Sequence, residues 1–337
     1  MRIAGMRPGG ADGAAPLAGM SKGRRPFARL GLFARAIFRP AARPGIVIFA
    51  LCFIATASVA GQGPRGITDD AGQSVTLPGP ARRIVPLYSA LAQILTELGA
   101  GERIVARTAA DTVLPDELPV IGTHMRPNFE LIVGLRPDLV VQLEGREEAG
   151  LAAQRLRELG IPVARFRISS FAELFSCIER LGVLAGKEEA AAALLAGFRA
   201  DLALLEEQKA MFARLGPPPT VFFEVRYPNL LGAGGGNMLT DIARRAGAVN
   251  CLEQYPDRLV RLSEERLIAF NPDMYIVLEG PMNKNPLPVS ARPHFRGLDA
   301  VQGGCLFTAR EEIYSRPGAG SIRAARELAF LVHIWLL

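Results

Sequence analysis

The side chains best suited to bind a ligand in this sequence follow directly after short apolar segments that we predict to be β-strands. Tyr88 follows one such segment, and the pair Arg226-Tyr227 follows another. Open α/β sheets bind ligands at the carboxyl ends of their strands. Tyrosine stacks on flat ligands or binds iron, and arginine pairs with carboxylates, so a flat or anionic ligand is favoured. The full set of candidate ligand-binding residues is Tyr88, His124, Met125, Arg126, Glu144, Arg146, Arg226, Tyr227, Asn229, Glu279, Tyr314 and Arg316; Arg126, Arg226 and Tyr227 are the strongest.

The sequence offers little support for an enzyme active site. The sequence contains no Gly-x-Ser-x-Gly elbow, P-loop or His-Glu-x-x-His motif. The glycine-rich stretch 232–236 could cradle a phosphate ahead of a helix, but a tight turn with Asn237 as the helix cap is the favoured interpretation. There are three histidines, and His333 lies in the predicted C-terminal helix, which disfavours a bare zinc or manganese site. We therefore expect no catalytic residues, no intrinsic cofactor and no protein-bound metal.

One stretch of the chain occurs twice, as NFELIVGLRPDLVV from Asn128 and as SEERLIAFNPDMYIV from Ser263. In each copy a glutamate, Glu130 or Glu265, is followed seven residues later by proline and eight residues later by aspartate. The proline ends a short helix, because the residue before a proline is displaced from helical geometry. The apolar run that follows predicts a buried strand. Asn128 and Ser263 are predicted N-caps, so each glutamate lies two residues past a cap.

Matching strand–helix segments precede both copies, at 83–106 and 219–250. A unit repeated at this scale predicts two α/β lobes of similar topology. Between them, helical pattern without internal proline covers 187–215, long enough to bridge two lobes. The predicted organisation is a leader at 1–60, a linker at 61–82, a first lobe at 83–186, a connecting helix at 187–215 and a second lobe at 216–337.

Smaller elements are predicted within the lobes. Ile104–Arg107 and Val120–Gly122 are predicted short strands, and Phe171–Ala185 is a predicted helix that ends at Gly186. The proline-rich stretch Pro281–Pro293 has no regular pattern, and His294–Gln302 is a predicted short helix.

The excess of positive charge belongs to the leader. Of 39 Lys and Arg residues in the chain, nine lie in 1–60 together with one acid, which leaves 30 basic and 32 acidic residues in 61–337. A nucleic-acid partner is therefore not expected. The apolar run Ile46–Ala57, followed by Ser58-Val59-Ala60, predicts an export signal cleaved near Ala60. Whether export uses the general or the twin-arginine route, and whether translation begins at Met1 or Met20, stays open.

Three cysteines remain after the predicted cleavage: Cys177, Cys251 and Cys305. Their odd number rules out a fully paired set, and each lies in an apolar setting. Buried free thiols are the favoured interpretation, with a Cys251–Cys305 disulfide as the alternative in an oxidising compartment.

The ordered set of motifs from about Ile67 to the C-terminus resembles the Fe/cobalamin periplasmic-binding domain family. RIVPLYSALAQILTELGAGERIVA and PVIGTHMRPNFELIVGLRPDLVV are similar to the family's first-lobe segments, and AGGGNMLTDIARRAGAVN and LSEERLIAFNPDMYIV to their second-lobe counterparts. The resemblance implies two Rossmann-like lobes joined by a long rigid helix, the class III periplasmic binding protein architecture. It also implies a ligand held between the lobes and little movement on binding.

The resemblance further gives the duplicated glutamates a role. In this family one glutamate on each lobe docks onto arginines of a membrane permease, and by motif position these are Glu130 and Glu265. A carboxylate in the first turn of a helix is stabilised by the helix dipole. Two such charges far apart orient an encounter and make it sensitive to salt. The alternative is that both are ordinary helix-start residues.

These observations together predict a periplasmic, monomeric substrate-binding protein that serves an ABC permease and its ATPase. The expected ligand is a metal–organic complex that carries its own metal, either an iron–siderophore or haem, with cobalamin next. An oxyanion of the molybdate type, an exported bilobal enzyme or chelatase, and a sensor that reports ligand to a membrane receptor are the alternatives.

Overall fold

The computed structural model describes residues 2–3, 63–145 and 147–337. The predicted leader therefore lies outside the described residues except for Arg2–Ile3 (β1), which pairs antiparallel with Phe307 and Thr308. Across the described ranges, no helix is both long and apolar enough to cross a membrane. The export signal and its cleavage site stay predictions.

The first lobe is built on a parallel sheet. A hairpin of β2 (Arg65–Thr68) and β3 (Ser74–Leu77) precedes it. The sheet has the order β4 (Ile84–Pro86), β5 (Leu139–Leu143), β6 (Val163–Phe166). Its helices are α1 (Ser89–Glu97), α2 (Phe129–Gly134), α3 (Glu147–Glu158) and α4 (Phe171–Ala185). The strands predicted near Ile104 and Val120 are reduced to single parallel bridges, because only Ile104 pairs with Ile84 and only Val120 with Arg107.

A long helix, α5 (Glu188–Phe212), follows the first lobe. It has 25 residues and is about 37 Å long, somewhat shorter than the predicted 187–215. Leu195, Phe198, Leu202 and Leu205 lie on one buried face at spacings of three and four residues. This face packs into one apolar core that includes residues of both lobes. The helix α5 contacts α4 and two helices of the second lobe, α6 (Met238–Ala246) and α10 (Ala319–Leu336). The connecting helix is thus held along its length.

The second lobe contains a larger, mixed sheet in the order β1-β12-β11-β7-β8-β10, with β9 also paired to β7. Strands β7, β11 and β12 run parallel to one another. Strand β8 is antiparallel to β7, and β10 is antiparallel to β8. The strands are β7 (Thr220–Arg226), β8 (Leu231–Ala233), β9 (Val249–Asn250), β10 (Leu259–Arg261), β11 (Met274–Glu279) and β12 (Leu306–Arg310). The helices are α6 (Met238–Ala246), α7 (Glu264–Phe270), α8 (Asp299–Gln302), α9 (Glu311–Tyr314) and α10 (Ala319–Leu336). The single helix predicted over 294–302 is divided into a 3-10 turn at Pro293–Phe295 and α8.

The duplicated Pro-Asp pair has the same structural role in both lobes. In the first lobe, the Asp138 carboxylate accepts hydrogen bonds from the backbone N–H groups of Arg82 and Arg83, at 2.8 and 2.9 Å, just before β4 begins. In the second lobe, Asp273 accepts from the backbone N–H and the hydroxyl of Thr220, at 2.8 and 2.7 Å, where β7 begins. Each aspartate therefore aligns the start of its own strand with the start of the parallel neighbour.

We expect Asp273→Ala to lower the free energy of unfolding by about 1–3 kcal/mol, because it removes a charged acceptor from two donors of Thr220. Urea unfolding followed by circular dichroism measures this. Asp257→Ala, at an exposed acid of the same lobe, is the control and should change stability by less than about 0.5 kcal/mol. Equal effects of the two substitutions would contradict a structural role for the repeated aspartate.

Candidate ligand site and docking helices

The first-lobe strand ends bring Tyr88 and His124 together. Tyr88 is the residue before α1, directly after β4, and its ring meets the His124 ring edge-on with centroids 5.7 Å apart. His124 lies in a turn closed by reciprocal backbone hydrogen bonds between Thr123 and Arg126. Gly122 enters this turn at φ +86°, and a Cβ atom there would lie 2.5 Å from the Arg126 carbonyl oxygen, so the turn requires glycine. His124 is half-buried and Arg126 is exposed.

Met125 lies in the same turn and is half-buried. Tyr88, His124, Met125 and Arg126 therefore all lie at the carboxyl end of the first-lobe sheet. Glu144 follows β5 at the same end and forms an ion pair with Arg165 of β6 at 2.7 Å. A hollow of about 420 Å³ lies beside this pair, lined by Glu144, Gly145, Glu147, Gly150, Leu151 and Arg165. Arg146 lies outside the described residues.

A second hollow, of about 290 Å³, borders residues 77–82 and Asp138. It lies at the amino ends of the strands, away from the predicted ligand residues.

Tyr227 is the most connected of the second-lobe candidates. Its backbone N–H donates to the Asn283 side chain at 3.1 Å, and its hydroxyl donates to Glu264 Oε1 at 3.2 Å. The Arg292 guanidinium lies 3.7 Å from the centroid of its ring. Partial burial and the neighbouring Glu264 carboxylate raise the pKa of Tyr227, so the phenol is neutral at pH 7.

The other second-lobe candidates at the ends of β7 and β11 are Arg226, Asn229 and Glu279, and their contacts are weaker. Arg226 is half-buried, and its Nε lies 3.5 Å from the Asn229 carbonyl oxygen, at the limit of a hydrogen bond. Asn229 and Glu279 are exposed. Arg226 and Glu279 are the last residues of β7 and β11, and Asn229 lies three residues after β7. The contact of all three with a ligand stays a prediction.

Tyr314, one of the predicted ligand-binding residues, is buried in the structure. Its side chain is 1% exposed, and its hydroxyl lies 3.5 Å from Glu327 of α10. This burial raises the pKa of Tyr314. Tyr314 is buried because the short helix α9 packs against α10. Arg316, two residues later, donates to the Thr112 hydroxyl of the first lobe at 3.1 Å and so joins the two lobes.

Sequence reasoning missed a buried ion pair behind Tyr227. Glu224 of β7 and Arg292 are 0% and 1% exposed, and both guanidinium Nη atoms donate to the Glu224 carboxylate. Tyr275 and Asn283 also donate to this carboxylate, at 2.6 and 3.0 Å. Arg292 in turn donates through Nε and Nη2 to the Leu287 carbonyl, at 3.0 and 2.7 Å. The proline-rich segment 281–293, for which the sequence predicts no regular structure, is thereby fastened to the sheet.

The sequence does not predict this ion pair, because Glu224 lies within an otherwise apolar strand, VFFEV. A glutamate inside a buried strand is itself a signal, since a buried carboxylate requires a charged or hydrogen-bonding partner. Nothing local to Glu224 identifies that partner, because Arg292 lies 68 residues later in the chain.

The duplicated glutamates occupy equivalent positions, as predicted. The Asn128 side chain accepts from the N–H of Leu131 and the Ser263 side chain from the N–H of Arg266, so both residues cap their helices. Glu130 and Glu265 are exposed in the first turns of α2 and α7. Hydrogen bonds from its own backbone N–H and from Ser263, together with the charge of nearby His294, lower the pKa of Glu265.

The glycine-rich loop is a tight turn rather than a phosphate cradle. Cβ atoms on Gly234, Gly235 and Gly236 would lie 2.2–2.4 Å from backbone oxygens of residues 253–257. The N–H groups of Gly234 and Gly235 donate to carbonyl oxygens within the chain. Asn237 caps α6 by accepting from the N–H of Leu239, as predicted. These two amides are therefore used by the fold and are not available to a phosphate.

Within the described ranges, no three His, Cys, Asp or Glu side chains are grouped so that they could hold a metal ion. Cys177, Cys251 and Cys305 are free thiols; Cys177 is buried and the other two are half-buried. Burial raises the pKa of Cys251 to about 12, so this thiol is protonated at neutral pH.

Comparison with known proteins identifies the family of the chain. The family described as periplasmic binding protein matches residues 84–313. The chain belongs to this family. It is a substrate-binding protein with the class III fold, two α/β lobes and a long connecting helix, as the sequence predicts.

Among the relatives of this periplasmic binding protein is the ABC transporter substrate-binding lipoprotein YvrC of Bacillus subtilis (strain 168), 27% identical over 271 residues, which are 79% of this chain and 84% of YvrC. The vitamin B12-binding protein BtuF of Vibrio cholerae has a solved structure that superposes with a TM-score of 0.65 at 21% identity, covering 76% of this chain and 98% of BtuF. The structure of the haem-binding protein RhuT of Roseiflexus sp. RS-1 superposes with a TM-score of 0.65 at 24% identity, covering 76% of this chain and 100% of RhuT.

We expect Glu224→Gln and Arg292→Met, made singly in this periplasmic binding protein, each to lower the free energy of unfolding by about 3–5 kcal/mol, because each leaves a buried charge without its partner. The double variant should recover at least half of that loss, since neither charge remains. Urea unfolding of the four proteins gives the coupling energy directly. Additive losses in the double variant would show that Glu224 and Arg292 do not stabilise each other.

Proposed function

We propose that this protein is an exported, monomeric substrate-binding component of an ABC importer that carries a metal–organic complex between its lobes to a permease and its ATPase. The observation that carries the proposal is an aromatic contact at the strand ends of each lobe: Tyr88 with His124 in the first, and Tyr227 with Arg292 in the second. Aromatic rings beside cationic or imidazole groups suit a flat, charged macrocycle or chelate.

Haem or an iron–siderophore is the first ligand class, and cobalamin the second. Relatives named for haem and for vitamin B12 support a tetrapyrrole-like complex over a small ion. A ligand of this kind brings its own metal. The oxyanion alternative is disfavoured because the amides of Gly234 and Gly235 in the glycine-rich loop donate within the chain. An enzyme or chelatase is disfavoured because the named relatives are binding proteins.

Titration of the purified mature protein with haemin and, separately, with cyanocobalamin tests the ligand class. We expect saturable one-to-one binding of one of them, measured by its absorbance change and by calorimetry. Tyr88→Ala and Tyr227→Ala should each weaken it at least about tenfold, as expected for aromatic contacts central to an interface. Tyr255→Phe, at a second-lobe tyrosine outside the candidate set, is the control. If neither haemin nor cyanocobalamin binds, both tetrapyrrole classes are excluded.

Transport assays separate docking from ligand binding. We expect the double variant Glu130→Ala, Glu265→Ala to keep its ligand affinity and to lose transport into vesicles that contain the permease and ATPase, because both carboxylates are exposed at helix starts outside the core. Raised salt should reproduce part of the loss, since exposed charge pairs are screened. The matched control is Glu148→Ala, Glu189→Ala, which removes two exposed first-turn glutamates from α3 and α5.

Normal transport by the Glu130, Glu265 variant would show that these glutamates are ordinary helix-start residues. Loss of ligand affinity in that variant would instead place them in the ligand site. Full ligand binding with no transport by the wild-type protein would favour the sensor alternative.

A further inference from the structure

Tyr227 joins the proposed ligand site to one of the proposed docking helices. It follows β7 directly, at the carboxyl end of the second-lobe sheet, and its hydroxyl donates to Glu264 Oε1 at 3.2 Å. Glu264 is the first residue of α7, immediately before Glu265. One hydrogen bond therefore connects a side chain expected to touch the ligand with the helix start expected to touch the permease.

The ring of Tyr227 is held, so its hydroxyl is the part of the residue whose partner can change. The backbone N–H is bound by Asn283, and the ring is stacked by Arg292 at 3.7 Å. Phe295 meets the ring edge-on, with centroids 6.2 Å apart. Arg292 is itself fixed by the buried Glu224. A ligand that takes the phenol oxygen as a hydrogen-bond partner or metal ligand therefore removes a donor from Glu264 without displacing the ring.

The first lobe lacks this arrangement. The residue of α2 that corresponds to Glu264 is Phe129, and its ring is covered by the Arg155 guanidinium at 4.6 Å. The start of α2 thus carries one carboxylate, Glu130, and the start of α7 carries two adjacent ones, Glu264 and Glu265. Of these two carboxylates, Glu264 faces the loop after β7 and accepts the hydrogen bond from the Tyr227 hydroxyl. The two docking positions are consequently unequal in charge.

We propose that the Tyr227–Glu264 hydrogen bond couples ligand occupancy to docking: a ligand that engages the Tyr227 hydroxyl releases Glu264, which then joins Glu265 as a second carboxylate for cationic side chains of the permease. This rests on the proposed function, because it assumes that the ligand lies at the strand ends and that α7 faces the permease. The coupling leaves the charge of Glu264 unchanged, but in the loaded protein its Oε1 no longer accepts from Tyr227 and is free to accept from a cationic side chain of the permease. Electrostatic complementarity then favours docking of the loaded form.

Carboxyl footprinting tests the coupling directly. The full mature protein is labelled with a carbodiimide and glycine ethyl ester, and the modification rates of Glu264, Glu265 and Glu130 are read by peptide mass spectrometry. Tyr227→Phe keeps the ring and removes the hydroxyl, so it should raise the rate at Glu264 about two- to tenfold, the equilibrium worth of one hydrogen bond. The rates at Glu265 and Glu130 should not change.

The matched control is Tyr255→Phe. The Tyr255 hydroxyl accepts from Arg266 of the same helix, but Tyr255 is not one of the strand-end residues. This variant should leave the Glu264 rate unchanged. An unchanged Glu264 rate in Tyr227→Phe overturns the proposal whether or not a ligand is known.

The second arm repeats the labelling with haemin or cyanocobalamin at saturation. In the wild-type protein and in Tyr255→Phe, the bound compound should raise the Glu264 rate; in Tyr227→Phe it should add nothing to the rate already raised. A compound that binds the wild-type protein and leaves the Glu264 rate unchanged overturns the coupling. If neither compound binds, the proposed ligand class fails, and the labelling of the ligand-free variants alone decides whether Tyr227 controls Glu264.

Discussion

The carboxylate of Glu224 is completely buried in the central strand β7, and much of the second lobe is arranged to satisfy it. A charge removed from water costs several kcal/mol unless it is paired and hydrogen-bonded. Its donors come from β11 through Tyr275, and from the following segment through Asn283 and Arg292. A segment rich in proline and polar residues, with little ability to form its own secondary structure, is thereby held in one conformation.

This buried pair also determines the surface beside it. Arg292 is neutralised on its edge by Glu224, which leaves the face of its guanidinium to stack on Tyr227. Asn283 binds Glu224 through its amide N–H and accepts from the backbone of Tyr227 through its amide oxygen. The position of Tyr227 thus depends on a charge in the interior, and the loop after β7 is preorganised. Preorganised side chains lose less conformational freedom on binding, which agrees with the small movement expected of this family.

The two lobes share a local design and differ in their use of it. In both, a capped helix carries a glutamate at its second position, and an aspartate after proline aligns two parallel strands. The helix α5 and a continuous apolar core hold the lobes in one unit, and the Arg316–Thr112 hydrogen bond adds a polar contact between them. The lobes differ at their strand ends, where the first has an aromatic–imidazole contact and the second a stacked tyrosine and guanidinium.

The sequence by itself determined the features that depend on neighbours along the chain. The N-caps at Asn128 and Ser263, the end of α4 at Gly186 and the turn before Asn237 follow from local backbone preferences, and the structure contains all of them. The repeat predicted two related lobes because similar segments bury similar faces. The predicted strands near Ile104 and Val120 were the least accurate elements, since such short pairings depend on the sheet beside them.

Only the tertiary structure decided which side chains share a site. Tyr314 has the sequence pattern of a loop residue, but α9 packs against α10 and buries it. Arg292 lies in a segment without a recognisable pattern and became the partner of Glu224 through the packing of that segment against the sheet. The contact of Tyr227 with Glu264 joins residues 37 positions apart. Such contacts depend on the distance between strand ends and helix starts after folding, and no local preference of the backbone specifies that distance.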